Sequence, residues 1–191
     1  MDARDFVARL AETRIGDTYN QYADSELRRR RLRDYLATRA AAPFVLVGES
    51  AGYRGARISG LAFTSERQLR GAGPAEASST IVHRVLGELG AEEVVLLWNV
   101  VPTHPGTATS NRRPTREEID ASEPFLAEVV RGRTAIAVGR LAATALDGAP
   151  YVRHPSRGGA RRFARGLEAL LGGLVRYTPP SAGALSAPFS A

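Results

Sequence analysis

Four short stretches of this chain carry residue types suited to chemistry. The first is Gly48-Glu49-Ser50-Ala51-Gly52, a glycine-flanked turn that exposes backbone N–H groups and admits close approach of a ligand. The second is Asn99, at the carboxyl end of an apolar run. Its amide offers a donor and an acceptor side by side, matching the N3–H and O4 edge of a pyrimidine; an asparagine here can equally tie down the loop that follows. The third is Phe63, whose ring can stack on a planar base for about 1–3 kcal/mol or simply fill core. The fourth is His154-Pro155-Ser156. Its histidine can donate to developing negative charge while the proline fixes the turn, yet the same tripeptide also reads as a surface turn with a structural histidine.

Other chemistries are closed off. The chain has no cysteine, which removes disulfides, thiol nucleophiles, iron–sulfur clusters and cysteine-based zinc sites, and its three histidines lie far apart. We therefore expect neither a metal nor another cofactor. With 26 basic and 20 acidic residues the net charge is +6, a balance that suits a polyanionic partner through counterion release. Met1–Leu10 lacks the apolar centre of a signal peptide, and no apolar run reaches membrane-spanning length. The expectation is a cytoplasmic monomer with no membrane attachment.

The elements that must position these residues follow from hydrophobic patterning. Residues 2–39 read as two helices separated at Gly16, the second capped by Asp24 or Ser25. Within it, Arg28–Arg31 reads as a solvated face or a phosphate-tracking surface. Phe44–Val47 is a buried strand ending at Gly48, and Gly48–Ala62 a glycine-rich loop. Ser78 or Ser79 caps a helix that stops at Gly90, and Val94–Trp98 is a second strand ending at Asn99. Val100–Pro114 reads as loop, Thr115 and Glu118 as the capping box of a long helix. Ala135–Val138 is a third strand, Leu141–Leu146 a short helix, Tyr151-Val152 a last strand and Ala160–Leu171 a last helix.

Strands alternating with helices imply a single-domain, three-layer α/β/α fold with a central, mainly parallel four-stranded sheet. We expect one domain over residues 1–177, with N-terminal helices at 1–40 and a core at 44–171, followed by a flexible tail at 178–191. Three strands end in segments bearing Glu49 and Ser50, Asn99, and His154. An open α/β sheet brings such ends to one edge, where ligands bind.

Taken in order, these pieces resemble the uracil-DNA glycosylase superfamily: GESAG, the loop to Phe63, Trp98-Asn99-Val100-Val101-Pro102, Ser110-Asn111-Arg112-Arg113-Pro114-Thr115, then His154-Pro155-Ser156. The resemblance runs from about Phe44 to Leu171 and is nearest to families four and five, which normally carry an iron–sulfur cluster. Where that branch places cluster cysteines this chain has Thr103 and Ser122, which implies a cluster-free relative.

The resemblance implies an enzyme that flips uracil out of single- or double-stranded DNA and hydrolyses its N-glycosidic bond, leaving an abasic site. Phe63 would stack on uracil, Asn99 would read its polar edge and His154 would hydrogen-bond O2. The Gly48–Gly52 backbone would help hold the uracil anion, and Tyr53 would exclude the thymine methyl or pack the loop. Ser50 would orient the attacking water where relatives use an aspartate, with Glu49 assisting. Ser156, Arg157, Arg161, Arg162 and Arg54 would face DNA. The alternatives are a glycosylase for another deaminated or mismatched base, or a silent binder of uracil-containing or abasic DNA.

Overall fold

The apolar run at Phe44 does form a strand, but β1 (Phe44–Ser50) continues past Gly48 and carries Glu49 and Ser50 within it. Likewise β2 (Val95–Val101) passes through Asn99 rather than ending there. The reason is pairing. The two strands run parallel with Gly48 opposite Asn99 and Ser50 opposite Val101, so the ladder satisfies backbone groups that a loop would leave to water. The computed structural model describes residues 1–172; the expected tail at 178–191 lies outside them.

In chain order the remaining elements are α1 (Ala3–Glu12), α2 (Glu26–Thr38), α3 (Ala56–Ser59), α4 (Glu66–Arg70) and α5 (Ala77–Leu89). A small hairpin of β3 (Gly106–Thr107) and β4 (Ser110–Asn111) follows β2, where the sequence reads as loop. Then come α6 (Arg116–Val130), β5 (Thr134–Val138), α7 (Arg140–Ala145), β6 (Tyr151–Val152) and α8 (Ala160–Leu171). The main sheet has the order β2-β1-β5-β6 with all pairs parallel, so the fold is three-layer α/β/α. All four strand ends point to one edge, as the alternation of strands and helices requires.

Two cores sandwich the sheet. On one face, side chains of α1, α2 and α6 pack on Val45, Val47, Leu96 and Trp98. Phe6 stands edge-on to both Trp98 and Phe125 at 5.5 Å between ring centres, a favoured aromatic geometry. On the other face α5 and α8 cover Leu46, Leu97, Ile136 and Phe63. That division follows from the period of two along each strand.

Several local signals come out differently. Ser25 is the N-cap of α2 and accepts from Arg28 N. For α5, however, the cap position is Glu76, and Ser79 lies buried inside the first turn. The Gly48–Ala62 stretch includes the short helix α3. The Arg28–Arg31 run is a solvated face only in part: Arg30 is exposed, whereas Arg28 Nε donates to Ile58 O, and Arg31 to Ser59 O and to the Glu66 carboxylate. Arg28 and Arg31 staple α2 to the segment that carries Phe63.

Thr115 and Glu118 do form a capping box on α6. Glu118 is also fully buried and holds Arg112 in a two-pronged ion pair, at 2.8 and 2.5 Å. Thr103 and Ser122 are both buried, Thr103 hydrogen-bonded to Thr18 at 2.6 Å and Ser122 donating to Glu118 O at 2.8 Å. Hydrogen bonds therefore tie the segment between α1 and α2 to the loop after β2. Among the described residues, no helix is long and apolar enough to cross a membrane.

Candidate active site

A cavity of about 620 Å³ opens above the sheet edge, within the range of small-molecule sites. Glu49, Ser50, Gly52, Phe63 and Asn99 line it from one side, and His154, Ser156 and Arg157 from the other. Three strand ends thus meet at one hollow.

Its floor is built by close approach. Asn99 is buried, and a Cβ on Gly48 would stand 2.7 Å from its Oδ1 and 2.8 Å from Phe63 Cε2. Only glycine leaves room for both the ring and the amide at this point in the ladder. Phe63 itself holds a left-handed backbone, φ 51°, a conformation that costs an ordinary residue roughly 1–2 kcal/mol. The turn is locked from below. Ser59 Oγ donates to Thr64 O at 2.6 Å and accepts from Leu61 N at 3.0 Å. Thr64 Oγ1 donates to Ala62 O and meets His83 Nε2 at 3.1 Å.

His154 is half-buried at the opposite wall, where Ser156 fixes its tautomer. Ser156 N donates to His154 Nδ1 at 3.2 Å, and Ser156 Oγ stands 2.9 Å from the same nitrogen. Nδ1 is therefore an acceptor, and the proton of the neutral ring sits on Nε2. Burial, with the charge of Arg153 adding to it, holds His154 below the usual histidine value. The ring is thus a neutral donor at pH 7.

The first turn divides its polar groups between two faces. Gly48 and Ser50 alternate onto the side of Asn99, whereas Glu49 follows Val45 and Val47 onto the other. Burial pushes the Glu49 carboxyl up, against the opposing charge of Arg113. Tyr53 lies outside the cavity lining; its N–H donates to Asn111 Oδ1 at 2.9 Å and its ring carries Arg54 at 5.4 Å. Arg161 and Arg162 stand on the exposed first turn of α8.

Several lining residues carry no site role in the sequence reading: Glu76, Arg140 and Arg153, with Ser78 read only as a candidate cap and Arg112 and Arg113 only as part of a motif. The Asn-Arg-Arg run before Pro114 is a visible signal, since three polar residues in a row beside a proline seldom serve packing. Glu76 gives none, because the serines after it supply a stronger cap pattern. Arg140 and Arg153 also border an adjoining hollow with Arg162 and the exposed Tyr151. None of Arg140, Arg153, Arg157, Arg161 or Arg162 has an ion-pair partner among the described residues. The result is a hydrogen-bonding cavity that holds the carboxyls of Glu49 and Glu76 and is rimmed by cations without ion-pair partners among the described residues. No group of three or more His, Cys, Asp or Glu side chains suited to a metal ion occurs among the described residues.

A family model described as the uracil DNA glycosylase superfamily matches residues 37–183. No curated protein matches the chain. The crystal structure of wild-type SMUG2 from Pedobacter heparinus is similar in fold, with a TM-score of 0.64 at 12% identity over 92% of this chain and 99% of that one.

Proposed function

The chain belongs to the uracil DNA glycosylase superfamily, and from that premise we propose that it hydrolyses the N-glycosidic bond of uracil in DNA. The observation that carries the reading is the cavity lined together by Phe63 from the turn after α3, Asn99 on β2 and His154 after β6.

The reaction follows from these groups. The target nucleotide rotates out of the helix at a cost of a few kcal/mol, and Phe63 offsets part of that cost by stacking. Asn99 pairs with N3–H and O4, so a ring lacking that pattern leaves a buried amide unsatisfied. As the N1–C1′ bond breaks, its electrons pass to uracil and charge gathers on O2. A neutral Nε2–H donor aimed there stabilises that charge without needing to lose its proton.

Water attacks the sugar carbon. Ser50 has no useful basicity and orients that water, while Glu49, with its carboxyl raised by burial, accepts the proton. Arg153, Arg157, Arg161 and Arg162 neutralise phosphates around the extruded nucleotide, and Arg54 does so from the first loop. With hydrogen bonds rather than cysteines holding Thr103 and Ser122, the chain is a cluster-free relative of families four and five. We propose one domain over residues 1–177 acting as a monomer on single- or double-stranded substrate.

The test is direct. Purified protein and a uracil-containing oligonucleotide, with chelator present and no added metal, are expected to yield free uracil and an alkali-labile abasic site. Tight, uracil-dependent binding with no release on either strand form would leave a silent binder instead.

A further inference from the structure

Glu76 is an unusual N-cap. Its side chain makes no cap bond to α5 and turns into the cavity instead. Ser79 Oγ donates to Oε2 at 2.9 Å, and Oε1 has no hydrogen-bond partner among the described residues. A Cβ on Gly52 would stand 3.0 Å from Glu76 Cδ, and one on Gly55 2.9 Å, with the carboxylate oxygens nearer still. The carboxylate therefore fills the volume that side chains at positions 52 and 55 would take. Gly52 leaves the wall open, and Glu76 closes it from another element.

The position of that wall follows from the sheet order and rests on the reading of Asn99 and His154 given above. Asn99 is on β2 and His154 follows β6, at opposite ends of the order β2-β1-β5-β6. The Gly52 loop is tied to the β2 side: His104 Nδ1 meets Ala51 O at 2.7 Å and Asn111 accepts from Tyr53 N. A pyrimidine with O2 at His154 and its N3–H and O4 at Asn99 turns its C5 edge past Asn99, toward that loop. We propose that Glu76 determines which base the site admits, its carboxylate excluding a 5-methyl group by bulk and disfavouring an electronegative 5-substituent by charge. Tyr53, outside the cavity, has no part in this selection. Burial raises the Glu76 carboxyl, and the Ser79 hydroxyl and His104 on the β2 side oppose that rise, so the charge is fullest in mildly alkaline buffer.

The experiment compares wild type, Glu76→Ala and Glu76→Gln on single-stranded oligonucleotides bearing uracil, thymine or 5-fluorouracil, under single-turnover conditions in such buffer. Glu76→Ala is expected to raise the thymine-to-uracil ratio about tenfold, the scale of one methyl group in a pocket. Glu76→Gln keeps the bulk and removes the charge; it is expected to raise the fluorouracil-to-uracil ratio several-fold and leave the thymine ratio alone. If Glu76 merely supported α5, uracil release would fall while both ratios stayed at wild type, and the proposal would be overturned. Should Glu76→Ala fail to fold, an unchanged fluorouracil ratio in Glu76→Gln overturns it as well. A wild type that releases no uracil defeats the glycosylase reading alone, because fluorescence anisotropy with the same oligonucleotides then supplies the ratios.

Discussion

Gly48 faces Asn99 across the β1–β2 ladder so closely that a single methyl group on it would lie 2.7 Å from the amide oxygen. The same methyl would press on the ring of Phe63. One missing side chain thus sets the distance between the stacking floor and the amide that reads the base.

Gly48→Ala is therefore expected to cut uracil release at least about tenfold while the fold survives, because a 1 Å misplacement of a positioned group costs up to roughly a hundredfold. Far-UV circular dichroism checks the fold and single-turnover kinetics the rate. A rate within about twofold of wild type would remove this close approach from the site.

His154→Ala removes the Nε2–H donor, and its expected cost is about 2.7–4 kcal/mol, or roughly a hundred- to a thousandfold in rate. The tautomer can be tested separately. In an NMR titration Nδ1 should be the unprotonated nitrogen at neutral pH, and the ring should titrate below 6.5. Burial penalises the charged ring, so the proton binds less readily than in a model histidine. A midpoint above 6.5 would contradict the neutral-donor role.

Much of this site is legible in the sequence, and the reasons are specific. Asn99 and His154 stand out because each interrupts or follows an apolar strand, and strand ends in a parallel sheet must converge; Phe63 is legible only as the aromatic that closes the glycine-rich loop. The strands read as ending early, at Gly48 and Asn99, since glycine and asparagine signal turns locally while the ladder, a non-local pairing, carries the chain on. The arginines of α2 are unreadable for a similar reason. Their partners, Ile58, Ser59 and Glu66, lie about thirty residues away and leave no trace in local charge pattern. Glu76 is hidden by its neighbours: two serines offer a better cap, and nothing in one dimension shows that Gly52 and Gly55 yield their space to it.

Replacing Arg140, Arg153 and Arg162 together with alanine should weaken binding to uracil-free and uracil-containing DNA alike. For every phosphate left without its arginine, the plot of log affinity against log salt should flatten by about 0.7–0.9. An unchanged salt slope would show that these side chains do not touch DNA.

Glu118→Gln should destabilise the protein by about 2–3 kcal/mol at neutral pH, since it leaves Arg112 without its counter-charge, softened by the partial exposure of that arginine. The pH dependence has a definite sign. The hydrogen bonds from Arg112 hold the Glu118 carboxyl below its ordinary 4.5, so the stabilisation is complete above that value and is lost as pH falls through the lowered one. Urea melts should show the gap between wild type and variant narrowing in acid. A gap independent of pH would mean that the charge contributes nothing.

That carboxylate also reaches across the chain. Gly16, with φ 51°, has room for no side chain because a Cβ there would meet Glu118 Cγ at 2.6 Å, and Glu118 Oε2 accepts the Thr115 N–H at 2.9 Å. Positions 112, 115 and 118 are accordingly one heritable unit. A lineage that trades Glu118 for an apolar residue releases Arg112 from its fixed place at the cavity rim, while Gly16 stays glycine because its left-handed backbone disfavours a side chain whatever the space. Substitutions at these three sites should travel together through descent.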